Sequence, residues 1–220
     1  MKTALIVGGT GGLGTEIVNS LKGEYIFDEL WLSKDRPDVM DPDAYKHINE
    51  SIDLAIYLAG INITKPIEEI SQKELIEIFN VNIIGAFNFV KNTKQHLKVS
   101  KNPLYIFTSS IMVDHPYPNR TAYASTKAAI EGLSNALAIE LGPERISSVC
   151  LRLGHLNSLM KSTVTNPDLL KRVQDKTPQN NLIDSKKIGP IIKNIHDCHQ
   201  MYNGSVIDLN GSYTRNIWPL

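Results

Sequence analysis

Short apolar runs alternate with amphipathic stretches along most of the chain. Five predominantly apolar runs are predicted as strands, at residues 3–8, 53–58, 104–107, 146–153 and 204–209. The first has no polar alternation, which is typical of a parallel strand buried on both faces. Helical spacing predicts a helix after this first strand and further helices at residues 42–50, 71–97, 121–141, 168–173 and 185–195. The alternation predicts a single α/β domain over residues 1–220, with a doubly wound, Rossmann-type parallel sheet.

The connection between the second and third strands departs from this pattern. The second strand is predicted at residues 29–33, and only four residues lie between Ser33 and Asp38. A parallel crossover normally needs a dozen or more residues. Either the helix between strands 2 and 3 is shortened or missing, or residues 38–40 are not a regular strand. Farther along, residues 155–182 are polar and irregular, and we interpret them as a substrate lid within the domain.

Helix-start chemistry supports several of these boundaries. Asp41 is a plausible cap of the helix at residues 42–50. Ser71 with Glu74 three residues later predicts a capping box at the start of the long helix. Asp184 or Ser185 can cap the last predicted helix.

Composition narrows the class of protein. The 220 residues are 42% hydrophobic and 21% charged, and Lys+Arg balance Asp+Glu at 23 each. Zero net charge gives no indication of a nucleic-acid partner. The two cysteines, Cys150 and Cys198, supply neither a disulfide framework nor metal-ligand spacing, so no metal is expected. The apolar stretches are too short to span a bilayer or form a signal peptide, so we expect a cytoplasmic location without membrane association.

A glycine-rich loop follows the first strand and precedes a helix. It holds five glycines within residues 8–14. Glycines allow a sharp turn and a close approach to a pyrophosphate, and the helix N-terminus offers free N–H groups to it. The alternative is a plain glycine-rich turn, but the strand–turn–helix context favours a dinucleotide.

The end of the predicted second strand bears on which dinucleotide is bound. A basic residue there favours a 2′-phosphate, whereas an acidic one accepts hydrogen bonds from a free 2′-OH. Ser33, Lys34 and Arg36 favour NADP(H), although Asp35 in the same loop leaves NAD(H) possible and Arg36 can equally belong to a solvated charged turn.

Asn82 and Gly85 are both residue types that destabilise a helix interior, and both lie in the middle of the long predicted helix. Together they indicate a functional kink or close packing, with a structurally satisfied Asn82 as the alternative. The other candidate residues follow the carboxyl ends of strands, where parallel sheets bind ligands. Tyr123 and Lys127 share one face of the helix that follows the predicted strand at residues 104–107.

The chain resembles the short-chain dehydrogenase/reductase family along nearly its whole length. The resemblance rests on the segments VGGTGGLG, DVMDPDA, FNVNIIG, IFTSS, YASTK and GSVIDLNG. It implies that Asn82, Ser110, Tyr123 and Lys127 are catalytic, with Ser110 thirteen residues before Tyr123. Tyr123 would exchange a proton with the substrate oxygen, and Ser110 would hydrogen-bond that oxygen. Lys127 would favour the tyrosinate and grip the ribose, while Asn82 would hold a water that links Lys127 to solvent.

Further binding residues follow from the same resemblance. The implied cofactor-binding residues are Gly8, Thr10, Gly11, Gly12, Leu13, Gly14, Ser33, Lys34, Asp38, Val39, Ala59, Gly60, Tyr123, Lys127, Gly154, Leu156 and Ser158. The expected substrate-side residues are Met112, Tyr117 and His155. Three positions depart from the family pattern: Leu58 replaces an Asn, Leu153 replaces a Pro, and Ser158 stands where a Thr often binds the nicotinamide amide.

These observations predict an NADP(H)-preferring oxidoreductase that transfers a hydride between nicotinamide and a small carbonyl or alcohol substrate. One alternative is a sensor that binds a dinucleotide without turnover, although such a protein has no need for all four catalytic residues. A dehydratase or epimerase that uses bound cofactor is a third and weaker reading. The helices at 71–97 and 121–141 carry more apolar residues than one core-facing stripe needs, and the resemblance implies that they pair in a homodimer or homotetramer.

Overall fold

The protein folds around one six-stranded parallel sheet with strand order β2-β1-β3-β4-β5-β6. The computed structural model describes residues 1–27, 39–46, 48, 51–157 and 167–215. The strands are β1 (Lys2–Val7), β2 (Tyr25–Phe27), β3 (Leu54–Tyr57), β4 (Leu104–Ser110), β5 (Ser147–Leu153) and β6 (Val206–Leu209). The described α-helices are α1 (Gly12–Leu21), α2 (Gln72–Phe79), α3 (Gly85–Lys98), α4 (Thr121–Glu140), α5 (Pro167–Lys176), α6 (Ile188–Asp197) and α7 (His199–Tyr202).

Alternate strand residues enter two separate hydrophobic cores, one on each face of the sheet. On β1, Leu5 and Val7 join the core that includes Phe89 of α3, whereas Ala4 joins the core that includes Ile17 of α1. Successive side chains of a strand point to opposite faces, so a strand that is apolar throughout has to be covered on both sides. The predicted doubly wound sheet is therefore confirmed.

The long predicted helix has an interruption at its centre. α2 ends at Phe79, a π-helical turn spans Asn80–Ile84, and α3 begins at Gly85. The predicted capping box is present, since Ser71 Oγ accepts from Glu74 N at 3.2 Å and the Glu74 carboxylate accepts from Ser71 N at 3.0 Å. Asn82, which is unfavourable in a regular α-helix, thus lies within a π-helical turn, and Gly85 directly follows that turn.

The predicted second strand, at residues 29–33, lies outside the described residues. β1 pairs with Tyr25–Phe27 on one side and with β3 on the other. In the described part of the connection to β3, the one helical element is a 3-10 turn at Pro42–Tyr45, whose cap Asp41 accepts from Asp43 N at 2.9 Å. Of the helix predicted at residues 42–50, the described residues form this 3-10 turn alone, and the predicted loss of a helix between residues 33 and 38 lies outside the described residues.

The predicted lid contains α5, which is longer than the helix expected at residues 168–173. An isolated parallel bridge between Leu156 and Ile183 joins the two ends of the predicted lid. Asp184 caps the 3-10 turn before α6, because its carboxylate accepts from Lys186 N at 3.1 Å. Within the described ranges, no helix is long and apolar enough to cross a membrane. The same residues contain no cluster of three or more metal-ligating side chains.

Candidate active site

The glycine-rich loop packs tightly against the end of β3. Gly8 has a φ of +90°, and a Cβ there would lie 3.0 Å from Ala59 N. A Cβ on Gly14 would collide with the loop's own backbone, 2.6 Å from Gly9 Cα. Gly11 caps α1 without a side-chain hydrogen bond. The exposed N-terminus of α1 consequently presents main-chain N–H groups, which suits a pyrophosphate.

The end of β3 approaches two of the predicted catalytic residues. A Cβ on Gly60 would lie 3.3 Å from Asn82 Oδ1 and 3.5 Å from Lys127 Nζ. Glycine therefore lets the chain pass close to both side chains. The structure brings Gly60, Asn82 and Lys127 together as the sequence predicts.

The amide of Asn82 holds the π-helical turn to neighbouring elements. Its Oδ1 accepts from Ile61 N at 2.8 Å, and its Nδ2 donates to Ile61 O at 3.0 Å and to Thr126 Oγ1 at 2.9 Å. Both amide hydrogens are therefore in use. A water contact would have to come from the second lone pair of Oδ1 or from the main-chain carbonyl.

Close packing explains why residue 85 is glycine. The Tyr57 hydroxyl donates to Val81 O at 2.5 Å across the π-helical turn. A Cβ on Gly85 would collide with that hydroxyl and would lie 2.8 Å from Val39 Cγ2. Of the predicted alternatives, the structure shows close packing at Gly85 and an Asn82 side chain satisfied by hydrogen bonds.

The first two turns of α4 carry Tyr123 and Lys127 on one face. Lys127 is only 7% exposed, and its Nζ donates to Thr108 O at 2.9 Å. The same ammonium lies 5.6 Å from the centre of the Tyr123 ring. Since an ammonium has three hydrogens, two remain for other acceptors. The bond to Thr108 of β4 thus fixes the Lys127 ammonium beside the Tyr123 ring.

The two serines at the end of β4 have different surroundings. Ser109 is buried, and its hydroxyl donates to Glu131 Oε1 at 2.6 Å. Ser110 is half-buried and caps a short 3-10 turn, where its Oγ accepts from Met112 N at 3.3 Å. That bond leaves the Ser110 hydroxyl proton for another acceptor, which agrees with its predicted role.

A buried ion pair beneath α4 was missed by the sequence reasoning. Arg152 of β5 makes two bonds to Glu131, with Nε–Oε1 at 2.8 Å and Nη2–Oε2 at 2.7 Å, and also contacts Asp114. Its bond to Glu131 raises the pKa of Arg152. The only signal in the sequence was Glu131, four residues after Lys127 on an otherwise apolar helix face.

The predicted substrate-side residues do assemble. Met112 belongs to a small apolar cluster with Ile111, Val173 and Tyr213, and Tyr117 and Tyr123 pack against it. His155 lies beside this cluster, with its ring 5.7 Å from that of Tyr117 and 4.8 Å from that of Tyr213. Sequence reasoning missed Tyr213, whose one signal is an aromatic residue shortly after the closing strand.

The remaining predicted cofactor-binding residues differ in what their side chains can do. The Leu156 side chain is buried in a core, so only its main chain can meet a ligand. A Cβ on Gly154 would lie 2.7 Å from Asn210 Cα, which requires glycine at the end of β5. Val39 packs against the core on the α3 face. Ser33, Lys34, Asp38 and Ser158 lie outside the described residues.

Comparison with known proteins agrees with this geometry. The family model described as "short chain dehydrogenase" matches residues 39–168, which is more than half of the chain but excludes the glycine-rich loop. A tropinone reductase homolog of Arabidopsis thaliana is 22% identical, over 98% of this chain and 93% of its own length. Carbonyl reductase [NADPH] 2 of Sus scrofa is 26% identical, over 74% of this chain and 68% of its own length.

A solved structure shows the same fold over nearly the whole chain. Gluconate 5-dehydrogenase from Burkholderia cenocepacia, in complex with NADP and tartrate, superposes with a TM-score of 0.86 at 17% identity. The match covers 98% of this chain and 96% of the other.

Proposed function

The chain belongs to the short chain dehydrogenase family of oxidoreductases, and from this premise we propose that it reduces or oxidises a small carbonyl/alcohol pair with NADP(H). The observation that carries the proposal is the arrangement of Lys127 between Thr108, Gly60 and the Tyr123 ring. This buried ammonium donates one hydrogen bond to the main chain and lies beside a tyrosine ring. Its positive charge is therefore placed to stabilise the phenolate form of that tyrosine.

Each proposed catalytic residue has a distinct task. Tyr123 gives a proton to the substrate oxygen in reduction and takes it back in oxidation. The Ser110 hydroxyl donates to that oxygen and orients it toward Tyr123. The positive charge of Lys127 stabilises the phenolate that remains after proton transfer. Asn82, through the second lone pair of Oδ1 or its carbonyl, holds the water that returns the proton from solvent.

The residues of the sheet edge fit a dinucleotide. The exposed main chain of Thr10, Gly11 and Gly12 would hold the pyrophosphate at the N-terminus of α1. The two remaining hydrogens of Lys127 Nζ suit the ribose hydroxyls. When bound, the nicotinamide supplies or accepts the hydride. Ser33, Lys34 and Arg36 favour the 2′-phosphate of NADP(H), with NAD(H) as the alternative that Asp35 leaves open.

A turnover assay of purified protein with NADPH and a panel of carbonyl compounds tests the proposal. For any substrate found, Tyr123→Phe should lower turnover by about 100-fold or more, because the proton donor is lost. NADPH affinity, measured by fluorescence titration, should change little. Tyr202→Phe is the matched control, since Tyr202 lies on α7 and is 39% exposed. Full turnover by Tyr123→Phe would refute the assigned role, and tight NADPH binding without turnover would favour a sensor.

A homodimer or homotetramer is the assembly that we propose. Leu75 and Ile76 of α2, Ile84, and Phe87 of α3 are each between 41% and 55% exposed. Such an apolar stripe on a helix is typical of a surface that pairs with another helix. Light scattering at micromolar concentration should give a multiple of the 24.5 kDa chain mass, and a monomer would contradict the assembly.

A further inference from the structure

Three side chains form a hydrogen-bonded chain on the substrate side of the sheet edge. The Tyr117 hydroxyl lies 2.8 Å from His155 Nε2 and is also hydrogen-bonded to the Tyr213 hydroxyl. The three residues come from separate parts of the fold: the loop before α4, the end of β5, and the segment after β6. Tyr213 therefore makes this last segment part of the site.

His155 emerges next to the proposed reaction centre. Ser110 and Leu153 are paired residues at the ends of β4 and β5, and His155 follows two residues later. Tyr117 and Tyr123 pack against the same apolar cluster. His155 and Tyr123 therefore border the same apolar cluster, at the strand ends that carry Ser110 and Leu153.

The direction of the hydrogen bonds follows from the burial of Tyr213. If His155 Nε2 carried the ring proton and donated to Tyr117, then Tyr117 would donate to Tyr213. The Tyr213 proton would then lack an acceptor within the described part of the chain, in a residue that is only 4% exposed. Leaving a buried donor unpaired is costly. The favoured direction runs from Tyr213 to Tyr117 to Nε2, and in a neutral ring this places the proton on Nδ1.

The surroundings keep the ring neutral. Burial, followed by the positive charge of Lys176, lowers the pKa of His155 to about 4. The Lys176 ammonium lies 4.6 Å from the centre of the Tyr213 ring. Among the described residues, the Tyr117 hydroxyl bonds His155 and the Tyr213 ring packs against it, and burial raises the pKa of Tyr117. Near neutral pH, His155 is a hydrogen-bond donor that carries no charge.

Nδ1 makes no hydrogen bond to any of the residues that the structure describes, although Nε2 is fully engaged. We propose that the Nδ1–H of His155 donates to a second oxygen of the substrate, so that the protein prefers carbonyl compounds that carry another carbonyl oxygen nearby, such as β-keto esters. This inference rests on the proposed function. In it, Tyr117 and Tyr213 are positioning residues that fix which nitrogen of His155 carries the proton.

NMR of protein with ¹⁵N-labelled histidine tests the donor directly. At neutral pH, the long-range couplings of His155 should show a protonated Nδ1 and an unprotonated Nε2. A ring protonated at Nε2 would overturn the proposal. In the complex with NADP⁺, added ethyl acetoacetate should shift the Nδ1 signal, whereas 2-heptanone, which has the same chain length and no second carbonyl, should not. Equal shifts, or none, would also overturn it.

Kinetics with matched substrates tests the preference. His155→Leu should lower kcat/KM for ethyl acetoacetate about tenfold, the effect of one hydrogen bond, and for 2-heptanone less than about twofold. His155→Asn should restore part of the preference, because its amide can donate from near the Nδ1 position. Equal losses on both substrates would contradict the proposal.

A matched control lies at the other edge of the sheet. Tyr25→Phe, which alters a different tyrosine–histidine pair, should leave the substrate ratio unchanged, and a changed ratio would contradict the assignment to His155. If the wild-type protein binds NADPH but reduces no carbonyl, the proposed function fails. The response of His155 Nδ1 to ethyl acetoacetate then decides the binding role independently.

Discussion

Two tyrosine–histidine pairs lie at opposite ends of the parallel strands and have nearly the same local geometry. We call the amino ends of the strands the amino edge and their carboxyl ends the carboxyl edge. At the amino edge, the Tyr25 hydroxyl lies 2.6 Å from His196 Nδ1, and at the carboxyl edge the Tyr117 hydroxyl lies 2.8 Å from His155 Nε2. The ring centres are 5.7 Å apart in both pairs. In both, burial is the largest cause that lowers the histidine pKa.

The pairs differ in what the second ring nitrogen does. His196 Nε2 lies 2.7 Å from Asn102 O, so both of its nitrogens are occupied. The neighbouring His199 is also used twice, by Ser147 at 2.8 Å and Asn102 at 3.1 Å. His155 has one bonded nitrogen and one that no described residue engages. A tyrosine–histidine pair stabilises the fold where both ring nitrogens are hydrogen-bonded within the protein. Where one ring nitrogen has no partner among the described residues, the same pair can bind a ligand.

Replacing each histidine by leucine is the strongest way to break this comparison. His196→Leu leaves the Tyr25 hydroxyl without its histidine partner and removes the bond to Asn102 O, so the free energy of unfolding should fall by about 3 kcal/mol. His155→Leu should cost less than about 1 kcal/mol, because its environment is less completely paired. Urea unfolding followed by circular dichroism measures both. Equal losses would show that His155 contributes to folding stability as much as His196 does, which would contradict the contrast between the two edges.

The next largest effect should be a loss of folding stability at acid pH, caused by protonation of the buried histidines at the amino edge. Folded-state pKa values of His196 and His199 lie below their ordinary value, so the folded protein binds fewer protons than the unfolded chain. Their contribution to stability is complete above about pH 6.5 and falls as the pH drops toward the folded-state values. His155, with a pKa of about 4, adds a loss of the same sign between about pH 6.5 and 4.

Stability measured by urea unfolding should therefore decline between pH 7 and pH 5, with a shallower slope in His196→Leu than in the wild type. The His155→Leu variant should also reduce the slope. An unchanged slope in His196→Leu would mean that His196 does not titrate in this window.

The smallest effects should come from the tyrosine hydroxyls. Tyr25→Phe removes one buried hydrogen bond and should cost about 1 kcal/mol of stability without changing substrate preference. Tyr117→Phe should also cost about 1 kcal/mol, because it takes the acceptor from the buried Tyr213 hydroxyl, and it should mix the protonation of the two His155 nitrogens and weaken the preference for β-keto esters. Thermal unfolding and ¹⁵N-histidine NMR distinguish these results. A Tyr25→Phe variant that altered the His155 spectrum would remove the contrast.

The parts of the fold that the sequence predicts well are those set by local pattern. β1 and the loop from Gly8 to Gly14 follow from an apolar run and from glycine spacing. The Ser71 capping box spans only three residues and is present. Asn82 and Gly85 were marked as costly by propensity alone. Propensity did not predict the π-helical form of the turn, whose Val81 carbonyl accepts from the Tyr57 hydroxyl, 24 residues away in the chain.

Side-chain partners far apart in the chain account for most of what was missed. Tyr213 meets Tyr117 across 96 residues, and no periodicity links a residue after the last strand to a loop before α4. Arg152 and Glu131 are 21 residues apart on different elements. A charged residue in a strand is usually taken as a sign of exposure, whereas here Arg152 reaches a carboxylate that is itself buried.

The amino-edge pair also bears on how the chain is synthesised and folded. Tyr25 and His196 are separated by 171 residues, so this contact has to wait until residue 196 has left the ribosome. Every strand pair in the sheet is parallel and therefore requires a crossover rather than a hairpin. Such long-range pairings make folding slow, since loop closure precedes the contacts that compensate for it. We therefore expect the polar cluster of Tyr25, Asn102, Ser147, His196 and His199 to form late in folding, and a nascent chain that ends before α6 to expose the face that this cluster covers.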